Sequence, residues 1–480
     1  MAWKQISDMI WELPTTFKQG MLVPARVYAS KNLLAGFDEK VIDQLTNVAC
    51  LPGIQKYALC MPDGHMGYGF PIGGVAAMDP QEGGVISPGG IGFDINCGMR
   101  LVKTNLTRAD VEPKIKDIVN TLFKTVPAGV GAAGFVKLSK SDLKEVMVSG
   151  VNWCIKNGYG WRSDTKHIEE GGCIQGGDPQ KVSQRAVERG IGQLGTLGSG
   201  NHYLEIQYIP SGGIFDTNIA EAWGLTEGQV VIMVHCGSRG FGHQIGTDYL
   251  RIFEPAMHKY GIQTKDRELA CAPFESQEGQ DYYKAHICAA NLAFSNRQVI
   301  MYRIREAFEK IFDRSAESLG MEVLYDVAHN IAKIEKHMVD GVSKTLVMHR
   351  KGSTRSFGAS RSDVGSEFKK TGQPVIVGGS METGSYLCAG LDGSEETFGS
   401  TMHGSGRTMS RHQAKQEVRG DELQKKMESA GIYVRAVSMS GLAEEAGFAY
   451  KDISEVVETM HNAGISRKVV VLKPLGNVKG

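Results

Sequence analysis

Apolar positions recur along the chain with both helical and strand-like periods, which predicts a protein of mixed α and β structure. In residues 110–126 apolar side chains return every three or four positions and Pro127 follows, so we predict one helix there. In residues 277–319 the same spacing continues with few helix breakers. This stretch predicts one long helix or a hairpin of two helices.

Short runs rich in β-branched residues predict strands that lead into glycine-rich turns. Strands and helices interleave in an irregular order, without a repeat of fixed length and without the change of composition typical of a linker. We therefore predict an α+β fold in which residues 1–480 form a single domain. The predicted strands are residues 230–234, 345–348, 374–377, 433–437 and 469–472.

Composition indicates a globular protein and excludes other classes. The 53 lysines and arginines balance 53 aspartates and glutamates, so there is no global positive field and any site for a polyanion must be local. A hydrophobic content of 41% excludes a disordered chain, and no apolar run approaches the roughly 18 residues of a membrane helix. Nine scattered cysteines and an N-terminus without the apolar core of a secretory signal predict a cytoplasmic protein.

Glycine is unusually abundant. It accounts for 60 of the 480 residues, whereas a typical protein contains about 7%. The pattern is not collagen-like, so loops that approach a ligand closely explain it better. The glycines concentrate in residues 64–98, 190–200, 237–246, 378–406 and 476–480.

Five residues in or beside these loops are candidate metal ligands. Asp94 and Cys97 lie three positions apart in the glycine-bracketed segment SPGGIGFDINCGMR. His202, His235 and His329 each lie at the end of a strand-like run or beside a glycine loop. A lone buried histidine usually only satisfies a backbone partner, but the set of five exceeds one tetrahedral shell. It therefore predicts a metal centre, with two ions and a bridging ligand as one arrangement.

The identity of the metal stays open at this point. Ligand softness and the affinity order of divalent ions would favour zinc for such a donor set. His65 and Asp63, in the segment MPDGHMGYG, are candidates for supporting the ligands from outside.

Two small-residue loops, residues 378–386 and 401–411, resemble phosphate cradles. Neither contains the P-loop pattern or the dinucleotide-binding glycine fingerprint. Within the second loop, His403 is followed by Arg407 and Arg411. An imidazole nucleophile beside two guanidinium groups suits phosphoryl or nucleotidyl transfer. The alternative is that His403 is a further metal ligand or a hydrogen-bonding residue of a turn.

Two further arginines lie beside the candidate metal loops. Arg189 precedes the loop of His202, and Arg239 follows His235 by four residues. Surface salt bridges are the simpler explanation for each. Their position nevertheless predicts a locally basic cleft that holds a polyphosphate or a nucleic-acid backbone.

Taken together, these segments resemble the RtcB family of RNA-splicing ligases. The matching blocks run in the family's order from Pro62 to Gly480, across nearly the whole chain. The resemblance implies one α+β domain with a deep cleft that binds two manganese ions and a guanosine nucleotide. The blocks are SPGGIGFDINCGMR, LGTLGSGNHYLEI, HCGSRGFGHQ, DVAHNIAKIEKH, GGSMETGSY, HGSGRTMSR and LKPLGNVKG.

The resemblance also implies a ligand assignment. Asp94 and Cys97 match metal ligands of the family, and Cys97 would contact both ions. His202 would complete one coordination shell, and His235 with His329 would complete the other. His403 matches the histidine that attacks the α-phosphate of GTP, releases pyrophosphate and forms a covalent histidine–GMP adduct.

The implied reaction joins a 2′,3′-cyclic phosphate or 3′-phosphate RNA end to a 5′-hydroxyl end. A cyclic phosphate is first opened to a 3′-phosphate, which then takes GMP from His403. The 5′-hydroxyl of the second strand attacks the resulting RNA–pp–G end and expels GMP. In the family this serves tRNA splicing or RNA repair, so the resemblance implies broken or intron-cleaved tRNA as substrate and an archease-type activating protein as a partner.

Matching positions imply two further sets of residues. Within the nucleotide loop, Gly378 replaces a common proline and Glu382 replaces a common glycine, which would bring a carboxylate close to the phosphates. RNA phosphates would be held by Arg189, Arg239, Arg407 and Arg411. The nucleotide would be surrounded by Asn201, Glu205, Asn330, Gly378, Gly379, Ser380, Met381, Ser385, His403, Gly404, Ser405, Gly406, Tyr450 and Lys479.

Two other functions are compatible with the residues. A metal-dependent phosphoesterase that only opens cyclic phosphates would need the metal ligands but no guanylylated histidine. A catalytically silent RNA-binding protein would keep the fold and would not depend on Cys97. A covalent GMP adduct on His403 distinguishes the ligase from both.

Overall fold

The computed structural model describes residues 3–480, which form two large sheets, two small two-stranded sheets and fourteen α-helices. The strands are β1 Lys4–Ser7, β2 Ile10–Leu13, β3 Ala25–Tyr28, β4 Ala58–His65, β5 Ile72–Met78, β6 Val85–Ile86, β7 Gly98–Thr107, β8 Tyr203–Tyr208, β9 Gln229–Cys236, β10 Ala272–Pro273, β11 Glu322–Ala328, β12 Asn330–Val339, β13 Val342–Lys351, β14 Ser353–Arg355, β15 Pro374–Val377, β16 Ser385–Gly390, β17 Ser400–Met402, β18 Tyr433–Ala436 and β19 Ser466–Lys479.

The α-helices are distributed between the strands along the whole chain. They are α1 Lys31–Ala35, α2 Glu39–Val48, α3 Arg108–Val111, α4 Ile115–Thr125, α5 Lys140–Ser149, α6 Val151–Lys156, α7 Gln184–Gly190, α8 Thr217–Ala222, α9 Arg239–Lys259, α10 Gln277–Phe312, α11 Arg411–Glu417, α12 Gly420–Ser429, α13 Met439–Glu444 and α14 Ile453–Asn462.

The first large sheet has seven strands in the order β1-β2-β3-β4-β5-β13-β12. All neighbours are antiparallel except β3 and β4. The pairing of β4 with β5 is interrupted between Cys60 and His65, and this irregular stretch carries Asp63. A strand that loses its regular pairing can turn a side chain out of the sheet, as β-bulges beside active sites do.

The second large sheet runs β11-β7-β9-β8-β19-β16-β15, with β18 added in parallel to β19. Strands β11, β7, β9 and β8 are antiparallel neighbours. The end of one such strand therefore lies beside the start of the next. Met99 pairs with His235, Tyr203 pairs with His235, and Ala328 pairs with Gly98. Cys97, His202, His235 and His329 consequently lie together at one edge of the sheet.

Helix α10 is the longest element, with 36 residues. Ser276 caps its N-terminus by accepting a hydrogen bond from the backbone N–H of Gly279 at 3.1 Å. Its apolar and small residues pack against α4, α5 and α9. Of the two predictions for residues 277–319, one long helix is correct and the hairpin is wrong. The helix ends at Phe312, because Asp313 adopts a left-handed conformation with φ of 51°, so the boundary at 319 was too late.

The single helix predicted for residues 110–126 is interrupted. Helix α3 ends at Val111, a short 3-10 turn spans Glu112–Lys114, and α4 begins at Ile115. Pro113 lies in that turn and has no backbone N–H to donate to a continuous helix. The five predicted strands are present as β9, β13, β15, β18 and β19, and β19 is much longer than its apolar core suggested.

The α+β prediction is confirmed by this architecture. No helix among residues 3–480 combines the length and the apolar character needed to cross a membrane.

Candidate active site

A cavity of about 870 Å³ opens between the two large sheets. The first sheet contributes His65 and Lys351 to its wall, and the second contributes Met99, His235 and Lys479. The two glycine-rich loops around residues 378–381 and 403–411 close another side. A large concave site lined by residues from distant parts of the chain is the usual form of a ligand-binding pocket.

The five predicted metal ligands converge beside this cavity, and Asp94, His235 and His329 line it. Their donor atoms form two overlapping groups, each with all atoms within 4.8 Å of one another. One group is Cys97, His235 and His329, and the other is Asp94, Cys97 and His202. The Sγ atom of Cys97 belongs to both, 3.2 Å from Nε2 of His235 and 3.3 Å from Nε2 of His202.

The hydrogen bonds of His235 leave its other ring nitrogen free for a metal. Nδ1 of His235 lies 3.0 Å from the carbonyl oxygen of Asn201 and therefore donates its proton to it. Nε2 then carries a lone pair and lies 3.2 Å from Nε2 of His329. Two ring nitrogens and a sulfur that face one another in a buried space fit a cation with nitrogen and sulfur ligands. The residues present therefore fit a metal centre.

The second donor group contains an oxygen ligand. Nε2 of His202 lies 2.8 Å from Oδ2 of Asp94. The other carboxylate oxygen, Oδ1, accepts a hydrogen bond from the backbone N–H of Arg239 at 3.2 Å. Nδ1 of His202 lies 3.1 Å from the carbonyl oxygen of Leu197 and 2.9 Å from Nη1 of Arg239. These contacts hold the Asp94 carboxylate and the His202 imidazole in their orientations.

Burial sets the charge of these ligands. Burial lowers the pKa of His202 and lowers the pKa of His235 and His329 well below the usual value, so all three imidazoles are neutral and able to bind a cation. Burial also raises the pKa of Asp94, but the adjacent His202 and Arg239 outweigh it and lower that pKa overall. Burial, with the nearby Asp94 carboxylate, raises the pKa of the Cys97 thiol well above normal. Binding of a metal must therefore displace the thiol proton.

His403 lies directly after β17 and contributes to the cavity wall. Its Nδ1 atom lies 2.6 Å from Oδ2 of Asp63, which also accepts hydrogen bonds from the backbone N–H groups of His403 and Gly404. The imidazole rings of His403 and His329 have centroids 4.8 Å apart. With its Nδ1 proton donated to Asp63, His403 keeps a lone pair on Nε2 beside the candidate metal ligands.

Most of the residues predicted to surround the nucleotide line this cavity. Ser385 does not, but its Oγ accepts hydrogen bonds from the backbone N–H of Gly379 at 3.3 Å and from Nε2 of Gln207 at 3.1 Å. It therefore holds the glycine-rich loop of residues 378–386 in place. The predicted residues in the wall are Asn201, Glu205, Asn330, Gly378, Gly379, Ser380, Met381, His403, Gly404, Ser405, Gly406, Tyr450 and Lys479.

Glu205 is a buried carboxyl group in the cavity wall. Burial raises its pKa to about 8, although hydrogen bonds from Asn477 at 3.0 Å and from Gln207 at 2.7 Å oppose the shift. The group is therefore largely protonated at neutral pH. It can donate as well as accept a hydrogen bond.

Glu445 is a site residue that the sequence analysis did not identify. Its buried carboxylate lies 3.1 Å from Nε of Arg411, 3.5 Å from Nη1 of Arg407 and 3.7 Å from Nζ of Lys479. The hydroxyl of Tyr450 also donates to it. Glu445 thus gathers three cations and a phenol on one side of the cavity. Its local sequence, GLAEEAGFAY, gave no signal beyond an acidic residue in an apolar segment.

The four arginines predicted to hold RNA phosphates fall into two pairs. Arg407 and Arg411 line the cavity, whereas Arg189 and Arg239 do not. Nη1 of Arg189 donates to Oε1 of Gln244 at 3.0 Å. The guanidinium of Arg239 contacts His202 instead.

The two unusual residues of this loop, Gly378 and Glu382, have distinct environments. The carboxylate of Glu382 accepts hydrogen bonds from Lys426 at 2.7 Å and from the backbone of Gly447 at 2.6 Å. It is absent from the cavity wall, so the expected carboxylate beside the phosphates is not found there. Gly378 donates its N–H to the carbonyl oxygen of His403 at 3.1 Å, a bond that proline could not form.

Comparison with known proteins identifies the family. The family model described as tRNA-splicing ligase RtcB matches residues 44–480. The chain belongs to the RtcB family. A tRNA-splicing ligase RtcB from Thermococcus kodakarensis is 53% identical over 479 residues, covering 99% of this chain and 98% of the relative. Proteins of the same name from Methanococcus maripaludis and Archaeoglobus fulgidus are 52% and 51% identical, each covering 99% of this chain and 99% and 98% of the relative.

The resemblance seen in the sequence is therefore confirmed. The match to the family begins at residue 44, whereas the first three strands lie before it and belong to the sheet that carries Asp63. The alignments to these RtcB relatives extend over that region as well, because they cover 99% of the chain.

Proposed function

We propose that this protein is a GTP- and manganese-dependent RNA ligase that joins 3′-phosphate or 2′,3′-cyclic phosphate ends to 5′-hydroxyl ends. The observation that carries the proposal is the position of His403. Its Nδ1 is anchored by Asp63 at 2.6 Å, and its ring lies against His329 of the donor cluster. A nucleophile held beside a metal centre in a large cavity suits nucleotidyl transfer.

Two manganese ions would be held by the two donor groups. Asp94, Cys97 and His202 would hold one, and Cys97, His235 and His329 would hold the other. The ions would supply positive charge that offsets phosphate charge and stabilises entering and leaving oxygens. The thiol of Cys97 must be deprotonated for this role, and its shared position supports a bridging function.

In the first step, Nε2 of His403 attacks the α-phosphorus of GTP. A phosphorus–nitrogen bond forms, the bond to the bridging oxygen of the β-phosphate breaks, and pyrophosphate leaves. The imidazole gains positive charge during the attack, and the Asp63 carboxylate at Nδ1 stabilises it. The product is a histidine–GMP phosphoramidate.

The RNA steps use this adduct. Water opens a cyclic phosphate to a 3′-phosphate, one oxygen of which attacks the phosphorus of the adduct and breaks its bond to His403. The 5′-hydroxyl of the second strand then loses its proton to water and attacks the 3′-phosphorus, the phosphoanhydride bond breaks, and GMP leaves. Arg407 and Arg411 line the cavity and are suited to bind phosphate oxygens. The phosphate oxygens must compete with the Glu445 carboxylate for both guanidinium groups.

The nucleotide would occupy the wall formed by the two glycine-rich loops. Backbone N–H groups there can approach phosphates closely because the glycines carry no side chain. Tyr450, Lys479 and Glu205 offer a ring, a cation and a protonated carboxyl to the base and sugar.

The tRNA substrate is proposed from the names of the relatives, and the activator and the location are proposed from the sequence resemblance to the family. Cleaved or broken tRNA is the proposed substrate, an archease-type protein is the proposed activator, and the cytoplasm is the proposed location. The whole chain is proposed to act as one catalytic domain.

A joining assay tests the proposal. The protein is incubated with GTP, Mn²⁺ and two RNA strands, one ending in a 3′-phosphate and the other in a 5′-hydroxyl. We expect joining with this pair and none with a 3′-hydroxyl and 5′-phosphate pair. Opening of a cyclic phosphate without joining would instead assign a phosphoesterase.

A further inference from the structure

Three aromatic rings form a cluster at the wall of the cavity, and no step of the proposed reaction uses them. The rings of Tyr68 and Phe93 meet edge to face, with centroids 5.2 Å apart, and Phe93 stacks on His243 at 5.1 Å. Tyr68 and Phe93 are partly exposed and line the cavity, and His243 is exposed. We call Tyr68, Phe93 and His243 the aromatic cluster.

The fold holds the rings of this cluster in place. His243 and Gly246 both lie in the first two turns of α9. A side chain on Gly246 would approach the ring of Phe93, since a Cβ atom there would lie 3.2 Å from Cδ1. The bare helix surface at Gly246 therefore lets Phe93 pack closely against α9 while its neighbour His243 stays open to solvent.

The aromatic cluster adjoins the candidate metal ligands in the chain. Phe93 directly precedes the candidate metal ligand Asp94. Burial lowers the pKa of His243, and the nearby cation of Arg189 lowers it further. The exposed ring is therefore neutral at neutral pH, and a guanidinium lies near it.

We propose that the aromatic cluster binds an unpaired nucleobase at the RNA end, stacked on the exposed ring of His243 beside the reacting phosphate. This inference rests on the proposed function. Proteins that bind single-stranded nucleic acid combine aromatic rings, on which bases stack, with cations that follow the backbone. Stacking tolerates every base, because each has a flat π-face, and so suits an enzyme that joins ends of differing sequence.

Besides the RNA bases, the proposed substrates contain one other planar group, the guanine base of GTP. Its proposed place is beside Tyr450 and Lys479, which line the cavity and contact Glu445. The terminal base of the 3′-phosphate strand and the first base of the 5′-hydroxyl strand are two sources of the same chemistry. The experiment has one arm for each.

The test uses the full-length protein and single-stranded RNA with 2-aminopurine, a fluorescent base that is quenched by stacking. One oligonucleotide carries it at the 3′-phosphate end and the other at the 5′-hydroxyl end. The variants are His243→Leu, which keeps bulk without a ring, and His243→Phe, which restores a ring. His258→Ala is the matched control, since His258 is an exposed histidine of the same helix.

We expect quenching of one of the two labelled ends by the wild type, by His243→Phe and by His258→Ala. In His243→Leu we expect the quenching to be lost and the KM for RNA in joining to rise at least about fivefold, the lower end of the usual stacking contribution. Formation of the GMP adduct from GTP should stay unchanged. A leucine variant that quenches and joins like the wild type would overturn the inference, as would a rise in the KM for GTP alone.

The proposed function and the proposed stacking site are tested by different outcomes. If the wild type quenches the labelled base but never joins RNA, the proposed function fails and the stacking site stands. If it joins RNA but neither end is quenched, the stacking site fails and the ligase stands. Thermal unfolding of each variant shows whether packing of Phe93 against α9 has been disturbed.

Discussion

Oδ2 of Asp63 lies 2.6 Å from Nδ1 of His403, although the two residues are 340 positions apart in the chain. The same oxygen accepts hydrogen bonds from two backbone N–H groups of the His403 loop, so one carboxylate fixes the loop, the ring orientation and the tautomer. The irregular stretch of β4 brings the carboxylate there. This contact leaves Nε2 as the nitrogen of His403 that carries a free lone pair.

Replacing Asp63 by asparagine should slow formation of the GMP adduct by about 100-fold or more, because the amide keeps the shape but neither stabilises the positive imidazole nor fixes its tautomer. The rate of incorporation of α-labelled GMP, measured against GTP concentration, reports this, and the KM for GTP should change little. Asp43→Asn is the control, since Asp43 is an exposed carboxylate in the same region of the chain. Wild-type incorporation by Asp63→Asn would contradict the assigned role.

Cys97→Ala should abolish binding of both metal ions, whereas His329→Ala should weaken only one, because Cys97 alone belongs to both donor groups. Titration calorimetry with Mn²⁺ on metal-free protein measures the number of ions bound. Cys236→Ser serves as the control, since Cys236 is also buried and next to His235 but is absent from both groups. Two ions bound by Cys97→Ala would disprove the shared ligand.

Arg297 of α10 should be essential for the shape of the metal site. Its Nη1 donates to the carbonyl oxygens of Asn96 and Cys236, both at 2.8 Å, and so ties together the residues beside Cys97 and His235. Asp326 balances its charge at 2.8 Å. Arg297→Met should lower the free energy of unfolding by about 3–5 kcal/mol, since it leaves a buried carboxylate with one partner fewer.

The same substitution should also weaken metal binding by about 10- to 100-fold, as expected for a residue that orients ligands from behind. Denaturant unfolding and Mn²⁺ titration measure the two effects. Arg297→Lys keeps the charge but cannot reach both carbonyl groups and Asp326, so it should recover stability more than metal affinity. Equal recovery of both would argue against a positioning role.

Glu205 should make the protein less stable as pH rises. Its pKa in the fold is raised to about 8, mainly by burial, so between its unfolded pKa and pH 8 the folded state binds more protons than the unfolded state. The stabilisation contributed by Glu205 is complete below the pKa that Glu205 has in the unfolded state. It is lost as pH rises through the pKa of Glu205 in the folded state. Glu205→Gln, which mimics the protonated acid, should remove this dependence.

The measurement is the difference in Tm between wild type and Glu205→Gln at pH 5.5 and at pH 8. We expect the Tm of the wild type to fall relative to the Tm of the variant as pH rises. Glu221→Gln, at an exposed position of α8, controls for the general effect of losing a carboxylate. A difference in Tm that does not change with pH would show that Glu205 is already ionised at pH 5.5.

The candidate metal ligands could be identified from the sequence, but the residues that hold the site in place could not. Asp94, Cys97 and the three histidines stand out because glycine-rich loops and strand ends surround them. Glu445 and Arg297 do not, because their partners lie far away in the chain and a buried charge has no local signature. The contact between Asp63 and His403 was not predicted for the same reason. The sequence grouped Asp63 with His65 as support for the metal ligands; the backbone carbonyl of Asp63 does contact His65, and its carboxylate holds His403.

The fold could be predicted in its class but not in its arrangement. Short β-branched runs located five strands correctly, and helical periodicity located α10. Periodicity also continued past Phe312, since the next apolar residues pack in a turn that begins with the left-handed Asp313. The order of strands in the two sheets depends on pairing between distant residues, which no local pattern encodes.

The most direct test of the account is mapping of the nucleotide adduct. The protein is incubated with GTP and Mn²⁺, digested, and its peptides are analysed by mass spectrometry. We predict the mass of GMP on the peptide that contains His403, an adduct that is labile in acid and stable in alkali, and none in His403→Ala. No adduct in the wild type, or an unchanged adduct in His403→Ala, would contradict the claim that this imidazole is the nucleophile.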